Sequence, residues 1–248
     1  MAKPIPLADL PLLDRNSNHY PSVEEFQQGL IIPVDKPEGF SSFDAVKYVR
    51  NRIPVRKVGH AGTLDPLATG LLILCCGKAT RTVSQIQELP KIYEAEITFG
   101  ASTPSFDRGT DPDRDAPWDH VDPARIEEVL NEQFTGVILQ APPIYSALKK
   151  EGKRLYKLAR KGVEMETEKR PVEIHEITVL NIDLPRIELR IRCGKGTYIR
   201  SLAYDLGLAC NTLAYLSNLR RTQTGLFGVE SAWELKTFNS WVESHGDR

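Results

Sequence analysis

Apolar and polar residues follow two different periods along this chain, and together they predict a mixture of strands and helices. Apolar side chains stand at every second position over Tyr93–Phe99 and Ile187–Cys193, which predicts strands with one buried face. The uninterrupted apolar run Leu71–Cys76 predicts a buried strand. The same reasoning predicts strands at Leu30–Val34, Val137–Gln140 and Val172–Ile182, and a hairpin around Thr224-Gly225 within Ala214–Val229.

Helices are predicted where a capping residue precedes a periodic apolar stripe. Ser41 with Asp44 is a capping-box pattern, and Asp122-Pro123 combines an N-cap with a proline in the first turn. The helix after Ser41 is expected to place on one face Phe43, Val46 and Val49. The other predicted helices are Lys78–Leu89, a segment near Lys153–Lys161 and one that opens at Gly196-Thr197. Because strands and helices do not strictly alternate, the predicted class is α+β with a mixed or antiparallel sheet.

Length and composition set the outer bounds. With 248 residues, 41% of them hydrophobic and 26% charged, the chain fits a soluble globular protein of one large or two small domains. Residues 1–28 carry four prolines and no clear period, which predicts an irregular N-terminal arm. No apolar run is long enough for a membrane span or a signal peptide. Four cysteines without a C-x-x-C pair favour a reducing cytoplasm over a zinc site or disulfide framework.

Charge is unevenly distributed although the net charge is only −1. Residues 145–161 carry seven Lys or Arg against one Glu, and residues 107–132 carry nine Asp or Glu against three Arg. Such asymmetry can steer a polyanion to one face of a nearly neutral protein. Tyr145 and Tyr156, whose rings can stack on unpaired bases, favour nucleic acid. The simpler alternative is a solvated basic helix.

The most informative segment is the string GHAGTLDPLATG at residues 59–70. Pro66 holds the backbone of Asp65 extended, and three glycines allow tight turns and close approach of a partner. The buried strand that follows anchors this loop. The pattern therefore predicts a carboxylate presented as a nucleophile or general base, although Asp before Pro, taken alone, is more often a turn former.

Other chemistries find no support in the sequence. Cys76–Thr80 and Cys193–Thr197 resemble phosphate-binding loops, but neither has the required upstream glycine or a Ser or Thr directly after the lysine. No G-x-S-x-G string and no His-rich metal cluster occurs. A lone carboxylate suits reactions at an anomeric carbon or an activated ring, and it needs a cation nearby. Arg200 is one candidate, although its own string, CGKGTYIR, fits a surface arginine better.

Five strings in order resemble the TruB family, the bacterial tRNA pseudouridine-55 synthases. Together they span about residues 29–229, and their agreement in register is far more specific than any one of them. The strings are DKPEGFSSFDAV at 35–46, GHAGTLDPLATG at 59–70, PPIYSALKKEGKRLYKLARKG at 142–162, CGKGTYIRSLAYDLG at 193–207 and LRRTQTG at 219–225.

The resemblance implies a fold, an activity and partners. The expected fold is the pseudouridine-synthase fold, a long mixed sheet flanked by helices with a central RNA-binding cleft. The expected reaction converts one uridine of the tRNA T loop, U55, into pseudouridine, with no cofactor and no metal. The expected partner is the T arm of tRNA, with no membrane, no obligate protein partner and a monomeric state. Residues 29–248 would form the catalytic domain, and the chain leaves no room for the C-terminal PUA domain of longer members.

The resemblance also implies roles for individual residues. Asp65 falls on the catalytic aspartate, Arg200 on the arginine paired with it, and Tyr93 on a tyrosine that packs on the target base and can remove the C5 proton. The residues that fall on substrate contacts, or in the case of the last one near the cleft, are His60, Tyr198, Leu219 and Lys36. The residues expected to contact RNA phosphates, in a mobile thumb at residues 143–170, are Lys149, Lys150, Lys153, Arg154 and Lys157.

Two other functions remain open at the level of sequence. One is an RNA-folding chaperone in which catalysis is secondary, although the retention of Asp65, Tyr93 and Arg200 speaks against a purely non-catalytic module. The other is the same chemistry on another RNA, such as ribosomal RNA, by a guide-dependent relative. Whether Asp65 attacks C1′, attacks C6 or assists elimination is also open.

Overall fold

The computed structural model describes residues 5–145, 149–150, 153–154 and 167–246, with the backbone alone at 149–150 and 153–154. Contacts divide the chain into two compact units. The first unit comprises Met1–Ile92 and Arg220–Arg248, and the second comprises Tyr93–Leu219. Among the described residues, no helix has both the length and the apolar character needed to cross a membrane.

The described elements mix short helices with strands. The α-helices are α1 (Val23–Gln28), α2 (Ser42–Arg50), α3 (Val83–Glu88), α4 (Pro123–Gln133), α5 (Ile199–Ala209) and α6 (Leu235–His245). Turns of 3-10 helix occupy Leu7–Asp9, Gly77–Thr82 and Val229–Ser231. The first seven strands are β1 (Ile31–Lys36), β2 (Val58–His60), β3 (Thr69–Cys76), β4 (Lys91–Phe99), β5 (Ala101–Ser102), β6 (Arg114–Asp115) and β7 (Gly136–Gln140). The others are β8 (Lys149–Lys150), β9 (Lys153–Arg154), β10 (Arg170–Asp183), β11 (Arg186–Cys193), β12 (Ala214–Thr224), β13 (Phe227–Gly228) and β14 (Trp233–Glu234).

In the first unit the strand order is β14-β1-β3-β12. β1 lies antiparallel to β3, with Ile31 opposite Cys75, and parallel to β14. β3 is also parallel to β12, where Arg221 lies opposite Gly70. The apolar run Leu71–Cys76 is fully buried, as the sequence predicts. This buried strand is the base from which the residue 59–70 loop projects.

In the second unit the strand order includes β4-β11-β10-β7, and β10 pairs antiparallel with both of its neighbours. Alternate side chains of β4 are buried, as the two-residue period predicts. Helix α4 begins as predicted, because the carboxylate of Asp122 accepts a hydrogen bond from the backbone N–H of Arg125 at 2.7 Å. The α+β class is therefore confirmed in both units.

Local patterns misplace four features. Phe43, Val46 and Val49 are predicted to share one face of α2, but Phe43 is 61% exposed whereas the two valines are buried. Three residues turn a helix by about 300°, so each such step falls about 60° short of the same face. The predicted helix Lys78–Leu89 is a 3-10 turn followed by the short α3. The predicted irregular arm contains α1. Where a helix near Lys153–Lys161 is predicted, residues 153–154 pair with 149–150 as strands, and 155–161 lie outside the described residues.

Candidate active site

The backbone on both sides of Asp65 is held by hydrogen bonds from another part of the first unit. The hydroxyl of Ser42 accepts from the N–H of Leu64 at 2.8 Å and donates to the carbonyl of Leu64 at 3.0 Å. On the other side, the N–H of Gly39 donates to the carbonyl of Pro66 at 2.9 Å. Asp65 itself is half-buried. The carboxylate is therefore presented on a stiff turn, as its Pro and Gly neighbours predict.

Lys36 ties the preceding turn to the same loop. Its side chain is fully buried, and its ammonium donates to the carbonyls of Pro37 at 2.9 Å, Phe40 at 2.6 Å and Pro66 at 3.3 Å. Burial lowers the pKa of Lys36 to about 8, and the negative charge of Asp65 acts in the opposite direction. The hydrogen bonds described for Lys36 go to the protein's own carbonyls. Its role as a substrate contact stays a prediction.

A buried arginine, Arg221, hydrogen-bonds the backbone of the loop and of the strand after it, and the sequence did not predict this role. Arg221 is 1% exposed, and its guanidinium donates to the carbonyls of Leu71 at 2.7 Å and Gly62 at 3.2 Å. Gly70 lies opposite Arg221 on the neighbouring strand and has φ +99°. A Cβ on residue 70 would lie 2.2 Å from the carbonyl oxygen of Arg221. Glycine is therefore required at residue 70, the C-terminal end of the loop. The only sequence signal was a double arginine inside a predicted strand.

The neighbouring Arg220 makes a two-pronged ion pair with Asp35. Its Nη2 lies 2.6 Å from Oδ2 and its Nη1 lies 3.1 Å from Oδ1 of the carboxylate. Asp35 belongs to β1 and Arg220 to β12, the two strands that flank β3. A bidentate pair of this geometry fixes orientation as well as distance. Both strands are thus tied together beside the strand that carries the loop.

His60 ends β2, at the first end of the loop, and is half-buried. Burial lowers its pKa, the positive charge of Arg221 lowers it further, and a backbone hydrogen bond with Gly62 acts in the opposite direction. Burial and the charge of Arg221 thus both disfavour the protonated ring. Its Nδ1 is buried and finds no hydrogen-bond partner in the part of the chain that the structure describes. A buried polar atom without a partner is costly and is a candidate contact for a ligand.

Arg200 lies in the first turn of α5 in the second unit and is 4% exposed. It donates to the carbonyls of Ser105 and Tyr145, each at 3.0 Å, and its Nε lies 3.6 Å from the carboxylate of Asp107. The alternative interpretation of Arg200 as a surface arginine is therefore wrong. Its predicted pairing with Asp65 stays a prediction.

Sequence reasoning also missed Asp107 as a site residue. Its Oδ1 accepts from the hydroxyl of Ser105 at 2.6 Å and from the N–H of Gly109 at 2.9 Å. The adjacent Phe106 has φ +61°, an unfavourable backbone angle, and its ring stacks on Tyr204 with centroids 4.2 Å apart. A strained, tightly bonded turn of this kind aims a side chain, here a carboxylate aimed at Arg200.

The remaining predicted contacts of the second unit lie on two strands and directly before a helix. Tyr93 is 9% exposed on the buried face of β4, and Leu219 is half-buried on β12. Tyr198 precedes α5, and its backbone N–H and carbonyl bond the side-chain amide of Gln140 at 2.7 and 2.9 Å. The guanidinium of Arg170 lies 5.2 Å from the centre of the Tyr198 ring. The substrate roles of Tyr93, Leu219 and Tyr198 stay predictions.

The predicted RNA-phosphate residues can be placed only in part. Four of them lie on the paired strands β8 and β9, namely Lys149, Lys150, Lys153 and Arg154. Lys157 lies outside the described residues, as do residues 146–148, 151–152 and 155–166 of the predicted thumb.

Comparison with known proteins identifies relatives by sequence. A family model described as TruB family pseudouridylate synthase (N terminal domain) matches residues 50–199. A Flavobacterium johnsoniae protein named tRNA pseudouridine synthase B is 46% identical over 227 residues, which cover 89% of this chain and 99% of the relative. A Clostridium tetani protein of the same name is 43% identical over 213 residues, which cover 84% of this chain and 72% of the relative.

Solved structures confirm the predicted fold. A chain in the crystal structure of a Cbf5-Nop10-Gar1 complex is 29% identical, with a TM-score of 0.68 over 94% of this chain. A chain in the structure of an H/ACA RNP bound to a substrate RNA containing 2′-deoxyuridine is 27% identical, with a TM-score of 0.65 over 95% of this chain. This chain spans 64% of the length of each, less than two thirds. On the family model and the curated relatives, the chain belongs to the TruB family of pseudouridylate synthases.

Proposed function

We propose that this chain converts a specific uridine in the T loop of tRNA, U55, into pseudouridine. The observation that carries the proposal is Asp65, which lies within the matched family region on a loop fixed at Leu64 and Pro66. The curated relatives named tRNA pseudouridine synthase B support tRNA as the substrate. The reaction class is therefore intramolecular group transfer, an isomerisation without net gain or loss of atoms.

The reaction exchanges one bond of the uracil base for another. The N1–C1′ bond breaks, the base turns, and a C5–C1′ bond forms, after which C5 loses a proton and N1 carries one. A stacked uridine cannot present these atoms, so it has to leave the stack at a cost of roughly a few kcal/mol. Asp65 then acts as nucleophile or as electrostatic partner while the glycosidic bond breaks. A carboxylate held in advance by the loop needs no rearrangement at that moment.

We also propose that a nearby cation, Lys36, keeps Asp65 ionised. The buried ammonium of Lys36 interacts electrostatically with the Asp65 carboxylate and donates to the adjacent Pro66 carbonyl. An opposite charge at close range stabilises a carboxylate and lowers its pKa. We also propose that Arg200 supplies the guanidinium paired with Asp65, on the strength of the motif match, and that Asp107 orients Arg200 through their ion pair.

The other matched residues would hold the extruded base. Tyr93 packs on the base and removes the C5 proton, Leu219 lines the pocket, and Tyr198 contacts the nucleotide. The unpartnered Nδ1 of His60 gives that side chain a polar atom for the extruded nucleotide. Apolar and aromatic walls would retain the detached uracil and exclude water, which would otherwise hydrolyse the intermediate.

Tritium release from tRNA labelled at C5 of uridine tests the proposal directly. Wild-type protein is expected to release tritium, while Asp65→Asn is expected to bind the same tRNA and release none. Asp115→Asn is the matched control, because it removes an exposed carboxylate in β6. Substantial turnover by Asp65→Asn would show that another group performs the chemistry.

A second candidate, the same chemistry on a different RNA, is favoured by the likeness to chains of ribonucleoprotein structures. We infer that tRNA is the substrate because the relatives that match over most of their length carry the tRNA name. We further propose that the protein acts in the cytoplasm as a monomer, without an obligate protein partner. Purified protein alone should modify a T-arm transcript and leave a ribosomal RNA fragment unmodified; the reverse would favour the second candidate.

A further inference from the structure

A groove lined by cations follows helix α2 in the first unit. Three cavities, of about 340, 520 and 360 Å³, adjoin one another there. The first and second share Asn51, and the second and third share Pro54 and Arg56, so they are neighbours on the surface and are together called the α2 groove. Its basic lining residues are Lys47, Arg50, Arg52, Arg56, Lys57 and Lys78. A groove of this composition attracts anions along its whole length.

The positive charge of the groove is balanced only in part by the described residues around it, since Asp44 attracts Lys47. The lining residues include one carboxylate, Asp44, which is occupied by the backbone N–H and the hydroxyl of Ser41 at 3.0 and 2.6 Å. Lys47, Arg56 and Lys57 are exposed. Over the described ranges, 5–145 and 167–246 among them, no carboxylate makes an ion pair with these three residues.

The groove is linked to the Asp65 loop by hydrogen bonds of two of its lining residues. Gly39 and Phe40, which line its first cavity, bond the Asp65 loop through Pro66 and Lys36. Helix α2 starts at Ser42, which is bonded to Leu64, and its nine residues extend about 13 Å from that point at 1.5 Å per residue. At an axial rise of roughly 3.4 Å per nucleotide, this length corresponds to about four nucleotides of one strand.

We propose that the α2 groove binds the phosphodiester backbone of the RNA substrate, in the nucleotides that flank the target uridine. The proposal rests on the proposed function, because it takes the uridine to be at Asp65. Phosphates repeat along a strand as the cations repeat along the groove. A strand that places its uridine at the Asp65 loop would bring its neighbouring phosphates to these cations, because Gly39 and Phe40 line the first cavity and bond Pro66 and Lys36.

The test compares two triple variants with the same change in formal charge. The groove variant carries Lys47→Glu, Arg56→Glu and Lys57→Glu. The control carries Arg15→Glu, Arg186→Glu and Lys236→Glu, three equally exposed cations outside the groove. Binding of a whole tRNA transcript is measured by filter binding over a series of KCl concentrations, and thermal melting checks that each variant is folded. A version with Gln at the three groove positions replaces the Glu variant if that one does not fold.

The groove variant is expected to bind tRNA at least about tenfold more weakly than the control at 0.1 M KCl, because each lost phosphate contact removes roughly 0.7–0.9 from the log–log salt slope. Its slope should fall by about 2 in total.

Two results would overturn the proposal, and a third would overturn only the proposed function. Equal salt slopes in the two variants would overturn the proposal. The proposal would also be overturned if the groove variant lost binding to phosphatidylserine vesicles but kept tRNA binding. That result would make the groove a membrane contact. If wild-type protein binds tRNA but forms no pseudouridine, the proposed function fails, while the comparison of salt slopes still decides whether the groove binds RNA backbone.

Discussion

Replacing Arg221 with methionine should destabilise the protein and slow catalysis without touching a substrate-facing group. The substitution keeps the length of the side chain and removes its charge. It deletes two charge-assisted hydrogen bonds, to the carbonyls of Leu71 and Gly62. Each such bond contributes about 1.5–3 kcal/mol. The cost of burying a cation is also removed, so we expect a net loss of about 3 kcal/mol.

That loss is large beside a total unfolding free energy of about 5–15 kcal/mol, and it should lower Tm by roughly 6–12 °C. Urea denaturation followed by tryptophan fluorescence measures it. Arg221→Lys keeps the charge, so it should lose less stability than Arg221→Met. It should still lose some stability, because an ammonium cannot span both carbonyls. With the Gly62 carbonyl released, the Asp65 loop should shift, and displacement by 1 Å can cost about a hundredfold in rate. We expect turnover to fall at least tenfold at unchanged tRNA affinity.

The pKa of His60 provides an independent readout of the same change. Burial and the charge of Arg221 both lower that pKa. In Arg221→Met the pKa should rise, while burial keeps it below its ordinary value; in Arg221→Lys it should stay near that of the wild type. Titration of the His60 ring by NMR measures it. Wild-type stability in Arg221→Met, or an unchanged His60 pKa, would refute this account of how the loop is held.

Three further predictions concern single contacts. Ser42→Ala should lower stability by about 1–3 kcal/mol and reduce kcat more than tRNA affinity, because both bonds to Leu64 are lost; an unchanged kcat would contradict the clamp. Burial raises the pKa of Asp205 to about 6, so between pH 4 and 6 the folded state binds a proton that the unfolded state has lost. Stability therefore falls as the pH rises from 4 to 6. Asp205→Asn should remove that slope and gain about 1 kcal/mol at pH 7 in urea denaturation, after allowance for solvent screening; a retained slope would assign it to another group. Tyr93→Phe should bind tRNA normally and form pseudouridine far more slowly in single-turnover assays, whereas a wild-type rate would reduce Tyr93 to packing.

The sequence was sufficient to predict the Asp65 loop because its signals are local. A proline after Asp65, glycines at 59, 62 and 70 and an apolar run next to them all act within a dozen residues. The alternation in β4 and the cap of α4 are local in the same sense. These features were predicted correctly because the backbone preferences of neighbouring residues decide them.

The groups that hold the loop could not be predicted from local patterns. Pro66 is bonded by Lys36, 30 residues away, and Leu71 by Arg221, 150 residues away. Asp107 meets Arg200 only because a strained turn and a helix come together within the second unit. Periodicity carries no information on such pairings, since it describes one element at a time. A double arginine in a strand gives no indication of which residue is exposed and which is buried.

The buried ammonium of Lys36 is an electrostatic partner of the half-buried Asp65. Burial lowers the pKa of Lys36 to about 8 and so favours the neutral amine. The negative charge of Asp65 opposes that change, whereas Arg221 acts on Lys36 in the same direction as burial. Bound RNA would exclude water and thereby strengthen the attraction between Lys36 and Asp65. The same RNA brings phosphates, and cations in the proposed α2 groove would neutralise part of their negative charge. A strand that carries many negative charges could then reach the Asp65 loop while the attraction between Lys36 and Asp65 is kept.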